Sequence, residues 1–147
     1  MPLTDAGFLN EEGRYQRDSL LWHGPSIQVI VGHMQFPDIP TPEQFETVHA
    51  LIDTGATESC IDAGLAERLQ LPVVDLQPMS GIAGPTDHYV YLARVSIPSL
   101  DFTQYGRFTA VHLAQGGQEQ AVLLGRTFLQ HVIMIYDGLR AQVTLAR

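Results

Sequence analysis

Asp53 stands directly after the apolar run Val48-His49-Ala50-Leu51-Ile52 and opens the turn Asp53-Thr54-Gly55-Ala56. A carboxylate at the end of a buried strand is costly unless it is hydrogen-bonded or paired. Thr54 brings a hydroxyl for a local bond, and Gly55 lets the backbone approach closely and offers its amide. Such a turn can hold a carboxylate rigidly at the floor of a cleft. Taken alone, the same tripeptide reads first as an ordinary turn whose aspartate caps its own backbone.

Other residues with chemical potential have plainer readings. Asp62 precedes Leu65, Ala66 and Leu69 at helical spacing and reads as a helix cap. Asp87 and Asp137 read as turn residues. His23, His33, His49, His88, His112 and His131 are scattered, with no His-Glu-x-x-His motif or cysteine pair, so no metal or cofactor is expected. His49 shares the parity of Asp53 along its strand and reads as a strand-surface residue. Cys60, the single cysteine, reads as a small buried residue; it cannot form an internal disulfide. Tyr89 and Tyr91 read as core or cleft-lining residues.

These side chains must be positioned by short strands. Ser26 to Gly32 alternates and is β-branched, and Glu46 to Ile52 runs straight into Asp53. The best helix spans Ile61 to Leu69, stopped by Pro72. The turn-rich Pro78 to Pro85 and the strand Tyr89 to Ile97 form a hairpin. Further strands are expected at Phe108 to Leu113, Ala121 to Leu124, Val132 to Tyr136 and Ala141 to Leu145, with a helical turn at Thr127 to Gln130. Strands at short intervals with Gly and Pro turns predict an all-β closed barrel or sandwich. Residues 1–25 read as an N-terminal arm, anchored to the body by Trp22, and residues 26–147 as one domain.

Bulk properties narrow the function. The net charge of -8 disfavours binding to phosphate backbones, so no nucleic-acid partner is expected. No apolar run approaches the roughly 20 residues of a membrane span, and the first residues lack a signal-peptide pattern. A soluble, cytoplasmic protein is the expectation.

A second segment, Ala121-Val122-Leu123-Leu124-Gly125-Arg126-Thr127-Phe128-Leu129, follows Asp53 in the order apolar strand, glycine, helical turn. With the glycine-bearing hairpin at Gly81 to Pro85 between them, and Phe128 to Asp137 after them, residues 26 to 147 resemble the retropepsin-like (retroviral-type) aspartic proteases. The resemblance implies one lobe per chain, with a flap hairpin and one or two short helices. It makes Asp53 the catalytic aspartate, with Thr54, Gly55 and Ala56 as its supporting turn. Thr54 would brace two such turns across a dimer, and Gly55 would hydrogen-bond substrate backbone. Gly81, Ile82, Ala83 and Gly84 would form the flap tip over a bound peptide. Gly125 would pack beneath the active-site turn. In the viral enzymes the arginine after that glycine pairs with an acid just past the active-site alanine. Thr57 holds that position here, which leaves Glu58 as the acid for Arg126.

This chemistry needs two carboxylates sharing one proton, one acting as base and the other as acid. The chain carries one Asp-Thr-Gly, so a homodimer with both Asp53 residues on its axis is implied, and the substrate is a peptide or protein. Two competing readings are a peptide-binding or scaffold module that keeps the fold without catalysis, and a protease active only with a partner.

Overall fold

A computed structural model describes residues 1–8, 12, 14, 16–34, 44–81 and 84–147. The described elements, in order, are β1 (Leu3–Asp5), α1 (Arg17–His23), β2 (Ser26–Gly32), β3 (Phe45–Ile52), β4 (Cys60–Asp62), α2 (Ala63–Arg68), β5 (Val73–Gly81) and β6 (Gly84–Ile97). After a 3-10 turn at Pro98–Leu100 come β7 (Phe102–Val111), β8 (Val122–Leu124), α3 (Arg126–Leu129), β9 (Ile133–Asp137) and β10 (Gln142–Ala146).

The strands β2-β3-β8-β4-β7-β6 lie side by side, and β2 also pairs with β6, so the six close into a barrel. β5 extends the sheet beyond β6. A separate sheet runs β1-β10-β9, all antiparallel. The fold is therefore the all-β closed barrel expected, with short helices at its ends.

Alternation builds the wall. Ile27, Val29 and Val31 of β2 and Ala50 and Ile52 of β3 point inward and are buried, whereas Gln28 and His49 point out. Tyr91, Ala93, Val95 and Ile97 of β6 and Phe108 of β7 fill the same interior, and Leu124 and Phe128 close it below the Asp53 turn. Two barrel pairings, β3–β8 and β4–β7, are parallel.

Three expectations change. The helix expected from Ile61 begins at Ala63, because residues 60–62 are buried as a strand between β7 and β8. Pairing on both sides outweighs helical spacing there. The strand expected from Phe108 begins at Phe102; its first half is only part-buried, so its polar sequence hides it. Trp22 does not anchor the arm, being 79% exposed. Ala6 and Leu20 are buried instead, and β1 pairs with the C-terminal strand, Leu3 opposite Ala146.

Asp62 caps α2 as read, and does more. One carboxylate oxygen accepts the Leu65 amide at 3.2 Å. The other accepts the amides of Leu113 at 3.0 Å and Ala114 at 3.1 Å, tying the end of β7 to the helix. The residue is only 5% exposed. Asp62→Ala strands three backbone donors and is expected to cost about 2–4 kcal/mol in urea unfolding. Asp62→Asn should recover part of that loss, and a change within about 0.5 kcal/mol for the alanine variant would refute the tie.

Candidate active site

The last residues of β3 set the position of Asp53. The Ile52 amide donates to the Pro25 carbonyl at 2.9 Å, and the Asp53 amide donates to the Leu124 carbonyl at 2.9 Å. Both flanking strands thus hold the chain where it leaves the barrel. The turn then closes twice, from the Ala56 amide to the Asp53 carbonyl at 3.3 Å and from the Gly55 amide to Asp53 Oδ1 at 2.9 Å. The second bond fixes the carboxylate against its own backbone. Oδ2 accepts no hydrogen bond among the described residues, and the side chain is half-buried. Thr54 and Gly55 are exposed at the rim, and the Thr54 hydroxyl has no partner among the described residues.

The second segment lies directly beneath. The Gly125 amide donates to Ser59 Oγ at 3.1 Å, the Arg126 amide to the Ala56 carbonyl at 2.9 Å, and the Thr127 amide to the Thr57 carbonyl at 3.0 Å. These bonds fasten residues 56–59 to 125–127. The approach is close enough to demand glycine at 125. A Cβ there would lie 2.6 Å from the Glu58 carbonyl oxygen and 2.9 Å from that of Ala56.

Arg126 does not reach Glu58 by any described contact. Its Nη1 donates to the Thr54 carbonyl at 2.9 Å and its Nη2 to Thr57 Oγ1 at 2.8 Å. The planar guanidinium presents two donors in a fixed fork, and a carbonyl with a neighbouring hydroxyl matches it. The expected pairing of Arg126 with Glu58 is thus replaced by a neutral hydrogen bond to the Thr57 hydroxyl. Ser59 was not singled out from the sequence. It is a buried polar residue (2% exposed) ahead of the buried Cys60 and Ile61, and that placement was the one available signal.

The hairpin residues sit apart from this clamp. Gly81 pairs with Gly84, the last rung of the β5–β6 hairpin, and Gly84 has φ +99°, a left-handed conformation suited to glycine. Ile82 and Ala83 lie outside the described residues. No hydrogen bond joins Gly81 or Gly84 to the Asp53 turn among the described residues. At the root of the hairpin, Asp75 is held below the usual carboxylate range by the Leu76 amide first, then by Arg107 and Gln77.

Two other groups are defined by their surroundings. Burial, then the charges of Glu58 and Asp53, push the Cys60 thiol up to about 11, so at neutral pH it is a thiol rather than a nucleophilic thiolate. No three His, Cys, Asp or Glu side chains among the described residues are grouped to hold a metal ion.

Residues 44–131, which contain both the Asp53 turn and the Gly125–Arg126 clamp, match the family described as "gag-polyprotein putative aspartyl protease". The chain belongs to this family. No curated protein matches the chain. Among solved structures, the EIAV protease complexed with the inhibitor HBY-793 is similar at a TM-score of 0.49 and 16% identity, over 73% of this chain and 86% of that one. The family membership and the closed barrel together make this a retropepsin-like fold with one lobe and one Asp-Thr-Gly turn per chain. No described helix is long and apolar enough to cross a membrane.

Proposed function

We propose that the chain is half of an aspartic endopeptidase, completed by a second copy that brings its own Asp53 to a twofold axis. The observation that carries this is the state of Asp53: one oxygen tied to the Gly55 amide, the other without a hydrogen-bond partner among the described residues, on a turn clamped by Gly125 and Arg126. An ordinary capping turn also leaves one carboxylate oxygen unpaired; what sets this turn apart is that residues distant in sequence hold it from below. A single carboxylate can act only as base or as acid. Two of them about 3 Å apart cannot both ionise, so they share one proton.

In that arrangement the ionised Asp53 takes a proton from a water held between the two carboxylates, while the protonated one donates to the scissile carbonyl oxygen. The oxygen of the water bonds to the carbonyl carbon to give a tetrahedral intermediate. Its collapse breaks the C–N bond, with a proton passing to the leaving amine. Thr54, whose hydroxyl is exposed and has no partner among the described residues, would brace the partner's turn, and Gly55 would meet substrate backbone. Gly81, Ile82, Ala83 and Gly84 would form the tip of the flap that covers an extended peptide.

The test pairs association with cleavage. Sedimentation of the purified chain over a range of concentrations is expected to show dimers. The dimer is expected to cleave a peptide library at some pH between about 3 and 8, with pepstatin blocking the cleavage. A verified dimer that cuts nothing across that range would overturn the endopeptidase reading.

A further inference from the structure

A groove of about 550 Å³ lies on the outside of the barrel, over β2 and β3, remote from the clamp below Asp53. That volume is in the range of sites for small groups, roughly 300–1,000 Å³. Its walls come from five parts of the chain, the 3-10 turn giving Pro98. β1 and the residues after it give Asp5 and Phe8, β2 gives Ser26 and Gln28, β3 gives His49, and the loop before β8 gives Glu119.

The charge of the groove is one-sided. Asp5 and Glu119 are exposed, and neither carboxylate has a hydrogen bond or ion pair among the described residues. All eight basic residues of the chain are arginines, and none lines the groove. Ser26 supplies an independent sign of a missing ligand. It is only 5% exposed, and its Oγ has no hydrogen-bond partner among the described residues. It shares the outward face of β2 with Gln28, because Ile27 between them points into the core. An orphaned hydroxyl beneath unpaired carboxylates suits a donor-rich cation, and the Phe8 ring and the Pro98 wall suit its alkyl stem. A metal ion fits poorly, since Asp5, Glu119 and His49 are not grouped closely enough to ligate one.

Asp53 lies further along the strand that gives the groove His49. Ala50 and Ile52 point into the barrel, so His49, Leu51 and Asp53 follow one another along the outer side of the same strand. The Ala121 amide donates to the His49 carbonyl at 2.9 Å, which sets Glu119 beside that strand. Four residues of extended strand separate His49 from Asp53 by roughly 13 Å, the span of about four residues of an extended peptide.

We infer that this groove is a subsite for a lysine or arginine side chain of the peptide substrate, about four residues from the cut bond. The inference rests on the endopeptidase reading for its substrate, but the recognition of a cationic side chain can be measured without cleavage. An NMR titration of the Asp53→Asn chain with Nα-acetyl-lysine methylamide should move the amide signals of Phe8, Gln28, His49 and Glu119. The neutral norleucine analogue should not. The double variant Asp5→Asn/Glu119→Gln should lose the response. Two exposed charge pairs of this kind predict roughly a five- to tenfold preference for a basic over a neutral residue at that substrate position in kcat/KM, weakening as salt is raised. The preference should vanish in the double variant while cleavage of peptides lacking a basic residue persists. Equal shifts with the neutral analogue, or shifts that survive the double substitution, overturn the subsite. Cleavage by the wild type with no positional enrichment of basic residues overturns its assignment to substrate and leaves the endopeptidase reading standing. A dimer that cuts no peptide removes that reading instead, and the assignment to substrate with it, whatever the titration shows.

Discussion

Asp53→Asn is expected to abolish peptide cleavage while leaving the fold and its stability in place. Asparagine keeps a side-chain oxygen where Asp53 Oδ1 accepts the Gly55 amide at 2.9 Å, so the turn loses no bond that the aspartate makes within the chain. What it loses is the ability to take or hold a proton. In a symmetric dimer one substitution removes both the acid and the base. General acid–base catalysis by a positioned group contributes about 10²- to 10⁴-fold, so kcat should fall at least by that factor. Thermal unfolding and sedimentation of the variant should match the wild type within error. Wild-type cleavage rates from a pure Asp53→Asn preparation would sink the proposed role of this residue.

Gly125→Ala should produce the second large effect, through packing and not through backbone strain. Gly125 has φ -86° and ψ -168°, extended backbone that alanine adopts freely. The obstacle is the added methyl, which would lie 2.6 Å from the Glu58 carbonyl oxygen, 2.7 Å from its carbon and 2.9 Å from the Ala56 carbonyl oxygen. All three are main-chain atoms, so no side chain can rotate aside. The chain must separate residues 56–58 from 125–127 and stretch the bonds between them: Arg126 to Ala56, Thr127 to Thr57, and the guanidinium fork to Thr54 and Thr57. Overpacking of this kind costs about 1–3 kcal/mol and more where backbone must move. A comparable drop in urea stability is expected, with a larger loss of activity because the displaced segment is the Asp53 turn. An alanine variant with unchanged stability and unchanged cleavage would show that the turn is not held from below in this way.

The two variants separate chemistry from scaffold, and Arg126 joins them. The family match spans residues 44–131 and so takes in both segments. Within it, the expected pairing of Arg126 with Glu58 is replaced by hydrogen bonds to Thr57 Oγ1 and the Thr54 carbonyl. Neutral acceptors do not depend on a second ionisation next to Asp53.

Much of the barrel was legible because its strands are amphipathic in sequence. β2 alternates buried Ile27, Val29 and Val31 with outward Gln28, and its bounds were read correctly. β8 and the turn that follows were visible as a short apolar run before Gly125. Residues 60–62 misled because Cys60, Ile61 and Asp62 are buried by pairing with β7 and β8, partners distant in sequence. Trp22 misled for the opposite reason: size and apolarity imply burial, yet neighbouring Leu20 faces the core in its place. The Ser59 bond to Gly125 and the two extra amides on Asp62 left no local trace, since each joins segments more than 50 residues apart.

The sequence by itself supplied a carboxylate, a hydroxyl and a glycine in consecutive positions after an apolar strand, which is what a turn presenting a carboxylate needs. It also determined the strand pattern that a closed barrel needs, since alternation is a property of neighbouring residues. Only the tertiary structure decided what holds that turn, namely Gly125 under Glu58 and the Arg126 fork on Thr54 and Thr57. It alone gathered Asp5, Ser26, His49 and Glu119 around one groove. The physical reason is common to both: such contacts depend on where barrel closure brings distant backbone, and no local spacing encodes that distance.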